Sequence, residues 1–141
     1  NYRMEGIQGA VLGVKLKHLD VWTNKRRSVA EKYCEQLKDL NEIILPKEMP
    51  YAKHVYHLFV IQTSRRDELQ NFLNKNEIST GLHYPVPLHL QECFEHLGYK
   101  KGDFLNTEKL AENCLSLPMF PELTDDQITF VCEKVKQFFK V

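Results

Sequence analysis

The sequence predicts an α+β fold: a long N-terminal helix, then a small, mostly antiparallel sheet of about three strands with helices packed on one face. Three observations carry this expectation. Apolar residues recur at spacings of three and four through the first forty residues, short β-branched and aromatic runs follow, and those runs alternate with further segments of helical period. A chain of 141 residues is long enough for one domain with a real core.

From Met4 to about Leu40, apolar residues at Met4, Ile7, Val11, Leu12, Leu16, Leu19, Trp22, Val29, Ala30, Tyr33, Leu37 and Leu40 share one helical face, with charges opposite. Unbroken, such a helix runs about 55 Å, longer than a small domain is wide, so part of it is expected to serve something outside this domain. Gly6, Gly9, Ala10 and Gly13 permit close backbone approach there, although each glycine costs about 1 kcal/mol relative to alanine in an exposed helix. After the Pro46 to Pro50 loop, His54 to Thr63 reads as a buried strand, rich in Val, Tyr, Phe and Ile. Arg66 to Lys75 reads as a helix with Leu69, Phe72 and Leu73 inward. Ile78 to His83 is a short strand in which Gly81 allows a kink.

Two prolines then stiffen the stretch His83-Tyr84-Pro85-Val86-Pro87-Leu88-His89-Leu90-Gln91. Each fixes φ near −65° and pushes the preceding residue toward extended geometry, so this is a rigid polar loop carrying two imidazoles and a phenol. Gln91 to Leu97 is a short helix ended by Gly98. Asn106 and Thr107 offer caps for a helix to about Asn113, and Leu115 to Leu117 is a last short strand. Thr124 with Gln127 forms a capping box that opens the helix to Phe139.

Nineteen basic and nineteen acidic residues cancel, which leaves no electrostatic case for nucleic acid or an anionic membrane as partner. No apolar run approaches the roughly 20 residues of a membrane span, and Asn1 opens no signal peptide. Cys34, Cys93, Cys114 and Cys132 lack the close pairs of zinc or redox motifs, so reduced thiols and a cytoplasmic location are expected. Lone His54 and His57 are expected to be satisfied surface or core groups, Trp22 to pack, and Arg26-Arg27 to lie on a solvated helix face. At the chain start, Asn1 and Arg3 set a polar donor and a guanidinium where a helix begins, a place suited to an anion. The chain begins without Met and already inside a helical pattern, so a piece of a longer protein is expected.

Four motifs in order carry a family resemblance. They are Asn-Tyr-Arg-Met-Glu-Gly-Ile-Gln-Gly-Ala at 1–10, Leu19-Asp20 with Arg26-Arg27 and Tyr33, the His83 to Gln91 loop, and Leu115-Ser116-Leu117-Pro118-Met119-Phe120-Pro121. Together they resemble the DegT/DnrJ/EryC1/StrS sugar aminotransferases, pyridoxal-phosphate enzymes of the aspartate-aminotransferase fold. The resemblance implies that residues 1–141 are the small C-terminal domain of such an enzyme, with 1–41 a long connecting, dimer-facing segment. It implies transfer of an amino group from glutamate to a nucleotide-linked keto sugar in polysaccharide biosynthesis, by a homodimer whose sites draw on both subunits. Asn1 inherits contact with the partner's cofactor phosphate. Arg3, His83, Tyr84 and His89 are the implied substrate-binding residues, His83 touching substrate or cofactor with Tyr84 packed beside it.

Pyridoxal phosphate needs a lysine for its Schiff base and an acid at the pyridinium nitrogen. In the resembled family both lie in the large domain, and none of the fourteen lysines here sits in a Ser/Gly-rich segment like the family's motif. No catalytic residue and no metal ligand is therefore expected in this chain, which alone should neither hold the cofactor nor turn over. Two other readings stand beside this one: a non-catalytic dimerisation or interaction module, and a sugar dehydratase of the same superfamily with histidine in place of the lysine.

Overall fold

The computed structural model describes residues 3–140, so Asn1, expected at a cofactor phosphate, lies outside the described residues. The elements in chain order are α1 (Gly6–Leu16), α2 (Leu19–Leu37), β1 (Phe59–Gln62), α3 (Arg66–Lys75), α4 (Leu105–Asn113), β2 (Cys114–Leu117) and α5 (Asp125–Phe139). Two 3₁₀ segments, Leu88–Leu90 and Glu92–Leu97, lie between α3 and α4, and the second ends at Gly98 with φ 75°, a conformation glycine adopts without strain.

The long N-terminal helix is two helices. At His18 the backbone N–H donates to Lys15 O at 3.0 Å, a three-residue bond in place of the four-residue ladder, and the ladder restarts with Trp22 N–H on His18 O at 3.0 Å. The apolar spacing persists across this tight turn, so periodicity alone could not reveal it. Only the second helix joins the core: α2 buries Val29, Ala30, Tyr33 and Leu37, whereas no residue of α1 is buried.

The sheet has two strands, antiparallel, with Phe59 paired to Leu117 and Ile61 to Leu115. The expected strand from His54 shrinks to Phe59–Gln62 because Tyr56 has φ 46° and gives its N–H to His54 Nδ1 at 2.9 Å. A left-handed residue cannot continue an extended strand. The expected third strand contributes a single bridge. Ile78 N–H is taken by Leu73 O at the end of α3, and after Gly81, which pairs with Ser116, the chain turns into the proline loop. A second isolated bridge joins Ile44 to Gln62 on the other side of β1.

Side-chain alternation divides the sheet's faces. Phe59, Ile61, Leu115 and Leu117 face the core with Leu69 and Leu73 of α3 and Ile128, Val131 and Val135 of α5. Truncating a fully buried leucine such as Leu37 or Leu69 to alanine removes about 2–5 kcal/mol. At the start of α5 the expected box forms: Gln127 N–H donates to Thr124 Oγ1 at 3.3 Å, and Thr124 N–H to Gln127 Oε1 at 3.0 Å. Asn106 and Thr107 do not cap α4. Its N-cap is Phe104, whose N–H goes to the Glu108 carboxylate at 3.3 Å.

Candidate functional site

The second sheet face builds the site. Because Val60 pairs with Ser116 and Gln62 with Cys114, these four residues point away from the helical core, toward the proline loop. All four residues of β2 are nevertheless buried, since the segment from Gly81 onward covers this face. Gly81 and Ser116 exchange backbone hydrogen bonds of 3.1 and 2.8 Å. Two residues later the His83 imidazole folds back over Gly81, and its Nδ1 lies 2.9 Å from Ser116 Oγ. A Cβ at position 81 would stand 2.6 Å from His83 Cε1, so only glycine leaves room for the ring. The sequence suggested a glycine for bending; the structure uses it for close approach.

The His83–Tyr84 peptide is cis, and the two rings meet edge-on with centroids 5.6 Å apart. Both side chains border a cleft of about 280 Å³ whose other lining is mainly apolar: Val60 and Cys114 from the sheet, Leu110 and Ala111 from α4, and Val86, Pro87 and Leu88 from the loop. Gln91 and Thr107 complete its polar groups. Such a lining, a mostly apolar surface with a few convergent polar groups, suits a small organic ligand. Thr107, expected as a cap, is a lining residue instead.

His89, expected to bind substrate, is turned inward. Its side chain is 7% exposed, and Nε2 lies 2.9 Å from Glu108 Oε1. Glu108 also accepts from Gly102 N–H at 2.8 and 2.9 Å and from Phe104 N–H. Burial pushes this carboxyl up, but the Gly102 N–H, the His89 imidazole and the Phe104 N–H outweigh it and hold it below the usual carboxylate range. Glu108 thus ties the proline loop, the 100–104 turn and the start of α4 together. Nothing in the sequence singled it out, because a glutamate in the first turn of a helix ordinarily faces water. Ser116 was visible only as part of a motif.

Arg3 is exposed ahead of α1 and does not line the His83 cleft. A larger cleft of about 590 Å³ lies along α1 and α2, lined by Met4, Leu12, Leu16, Leu19 and Trp22, with Lys15 and Arg26 its charged groups. It has size but few polar groups, whereas the His83 cleft carries the chemistry. The Arg26-Arg27 pair is not simply solvated: Arg26 Nε is buried without a hydrogen-bond partner, and Arg27 forks onto Glu48. Among the described residues no cluster of His, Cys, Asp and Glu could hold a metal ion, and no helix is long and apolar enough to cross a membrane.

The His83 cleft contains neither lysine nor carboxylate. Lys101 lines an adjoining cleft but is 74% exposed and paired with Glu112 at 3.2 Å. The His83 cleft by itself therefore does not fit pyridoxal phosphate, which requires an amine for its imine and an acid beside its ring.

The same mixed helix-and-sheet arrangement is found in solved aminotransferase structures. The chain superposes on the crystal structure of S. venezuelae DesV in complex with ketimine intermediate at a TM-score of 0.95 and 37% identity, covering 99% of this chain and 38% of that one. On a DegT DnrJ EryC1 StrS aminotransferase from Brucella abortus it superposes at 0.87 and 30% identity, covering 96% and 36%. In sequence it is 44% identical to the pleiotropic regulatory protein of Geobacillus stearothermophilus over 99% of this chain and 38% of that protein. It is 38% identical to the dTDP-3-amino-3,4,6-trideoxy-alpha-D-glucose transaminase of Streptomyces venezuelae, over 98% and 36%. Residues 1–136 match the DegT/DnrJ/EryC1/StrS aminotransferase family, and the chain belongs to it. It spans less than two fifths of the length of these relatives, as a C-terminal portion.

Proposed function

We propose that this chain is the C-terminal domain of a pyridoxal-phosphate-dependent aminotransferase that moves an amino group from glutamate to a keto carbon of a nucleotide-linked sugar. The observation that carries this reading is His83: one ring nitrogen is tied to Ser116, and the ring borders an apolar cleft with Tyr84, Gln91 and Thr107. Relatives that bear sugar-nucleotide transaminase names support the substrate class. The His83 Nε2, which has no hydrogen-bond partner among the described residues, meets a polar group of the sugar, and Tyr84, 74% exposed, packs against the same ligand. His89 serves from beneath by holding the loop through Glu108.

In the full-length enzyme, pyridoxal phosphate would supply the electron sink for the transfer. The lysine and acid that it requires belong to the remainder of the polypeptide, and Asn1 reaches the cofactor phosphate of the second subunit. Arg3 pairs with an anionic group of substrate near the same subunit boundary. Residues 1–41 connect the domains and face the dimer partner. The exposed apolar side chains of α1, Ile7 at 81% among them, support this, since a helix with no buried residue needs a cover.

The test is an assay of the full-length enzyme with glutamate and dTDP- or UDP-linked keto sugars, following 2-oxoglutarate. We expect release that depends on the sugar, with His83→Ala lowering kcat/KM about 30-fold to 1000-fold while thermal stability stays nearly unchanged. Unaltered kcat/KM in that variant removes the loop from the active site.

A further inference from the structure

We infer that Ser116 is a positioning residue: its hydroxyl fixes the direction in which His83 presents Nε2 to the cleft. The inference rests on the reading that His83 meets the substrate. His83 is exposed, and an exposed imidazole ordinarily samples several χ1 and χ2 settings. Here Nδ1 lies 2.9 Å from the hydroxyl of a residue whose backbone is fixed. Ser116 lies on β2, is 4% exposed, and its backbone N–H and C=O are both bonded to Gly81, through the 2.8 and 3.1 Å pair, while the register sets it opposite Val60 of β1. The hydroxyl can donate to a neutral ring or accept from Nδ1–H, so the anchor holds in either tautomer and when the ring is charged.

Gly81 is the second half of the device. The imidazole reaches Ser116 only by lying across position 81, where a methyl group would come within 2.6 Å of Cε1. The anchor and the space for the ring therefore come from two residues that are themselves paired. A contact that must be aligned with a reacting group depends on such support, because small losses of geometry forfeit much of its effect.

The experiment is a double-mutant cycle in the full-length enzyme on Ser116→Ala and His83→Ala, with Gly81→Ala as an independent probe. We expect Ser116→Ala to lower kcat/KM about 3- to 10-fold, more through kcat than through KM, as loss of one neutral hydrogen bond implies. In the His83→Ala background the same change should have no further effect. Imidazole nitrogen resonances of His83, recorded without substrate, should shift in both Ser116→Ala and Gly81→Ala. If Ser116→Ala lowers activity equally in both backgrounds, the serine acts through the fold and the inference is overturned. It is also overturned if His83→Ala impairs turnover while Ser116→Ala leaves kinetics and resonances unchanged, which would spare the reading of His83 itself. Unimpaired turnover in His83→Ala overturns both.

Discussion

Arg27 grips Glu48 with two parallel hydrogen bonds, Nη1 to Oε1 at 2.9 Å and Nη2 to Oε2 at 3.0 Å. The same pair reaches further: Arg27 Nη1 donates to His54 O at 2.6 Å, and His54 N–H donates to Glu48 Oε1 at 3.0 Å. A residue of α2 thereby fastens the irregular segment that leads into β1, just ahead of the left-handed Tyr56. Forked pairs of this kind fix orientation, which lysine in place of arginine cannot reproduce.

The pair makes stability depend on acid. The Arg27 guanidinium, with the His54 N–H, holds the Glu48 carboxyl below its ordinary value of 4.5. A carboxyl with a depressed folded pKa contributes stability above its unfolded pKa, and that contribution is lost as pH falls through the folded value. Urea midpoints measured from pH 7 downward should therefore drop below about pH 4.5, less steeply in Glu48→Gln. Parallel curves for the two proteins would show that the pair adds nothing.

Glu108→Ala should loosen the 100–104 turn. It strands the N–H groups of Gly102 and Phe104 and leaves His89 without its partner. Amide exchange at Gly102 and Phe104 is expected to accelerate while amides of β2 keep their protection. Equal acceleration in β2 would mean that the carboxylate supports the whole core instead.

Tyr33→Phe removes one atom and one bond. The ring is fully buried against Phe59 at 4.9 Å, and its hydroxyl donates to Pro118 O at 3.0 Å, joining α2 to the segment after β2. The packing survives the change, so thermal or urea unfolding should report a loss of about 1 kcal/mol. A loss as large as that of a core truncation would point to rearranged packing.

The four thiols should differ in reactivity. Cys93 is exposed, whereas Cys114 and Cys132 are buried, and burial pushes the Cys132 thiol up to about 12. Because the thiolate is the reactive form, a thiol reagent at pH 8 should modify Cys93 quickly and Cys132 only on unfolding. Comparable rates at the two positions would contradict the described core.

Periodicity located α2, α3 and α5 because each lays a continuous apolar face on the core, and the Thr124 box marked the start of α5 through chemistry local to four residues. What stayed hidden depends on partners distant in sequence. The turn at His18 leaves the apolar spacing intact. The short reach of β1 follows from a histidine nitrogen taking the Tyr56 N–H, and no propensity anticipates that. In the site, the His83 loop announced itself through its prolines and imidazoles. Ser116, thirty-three residues further on, is a serine within a buried strand until the register sets it beneath the ring. His89 shares the loop with His83 but is turned inward onto Glu108, a partner nineteen residues away.

Burial of β2 on both faces ties the cleft to the architecture. The backbone from Gly81 to Leu90 is a roof over one side of the sheet, so deleting it would uncover Cys114 and Ser116 to water. Ligand preference can therefore be altered with the roof kept in place, by exchanging the side chains it presents. Tyr84, Val86 and Leu88, respectively 74%, 47% and 66% exposed, are the positions where such exchange leaves the roof intact.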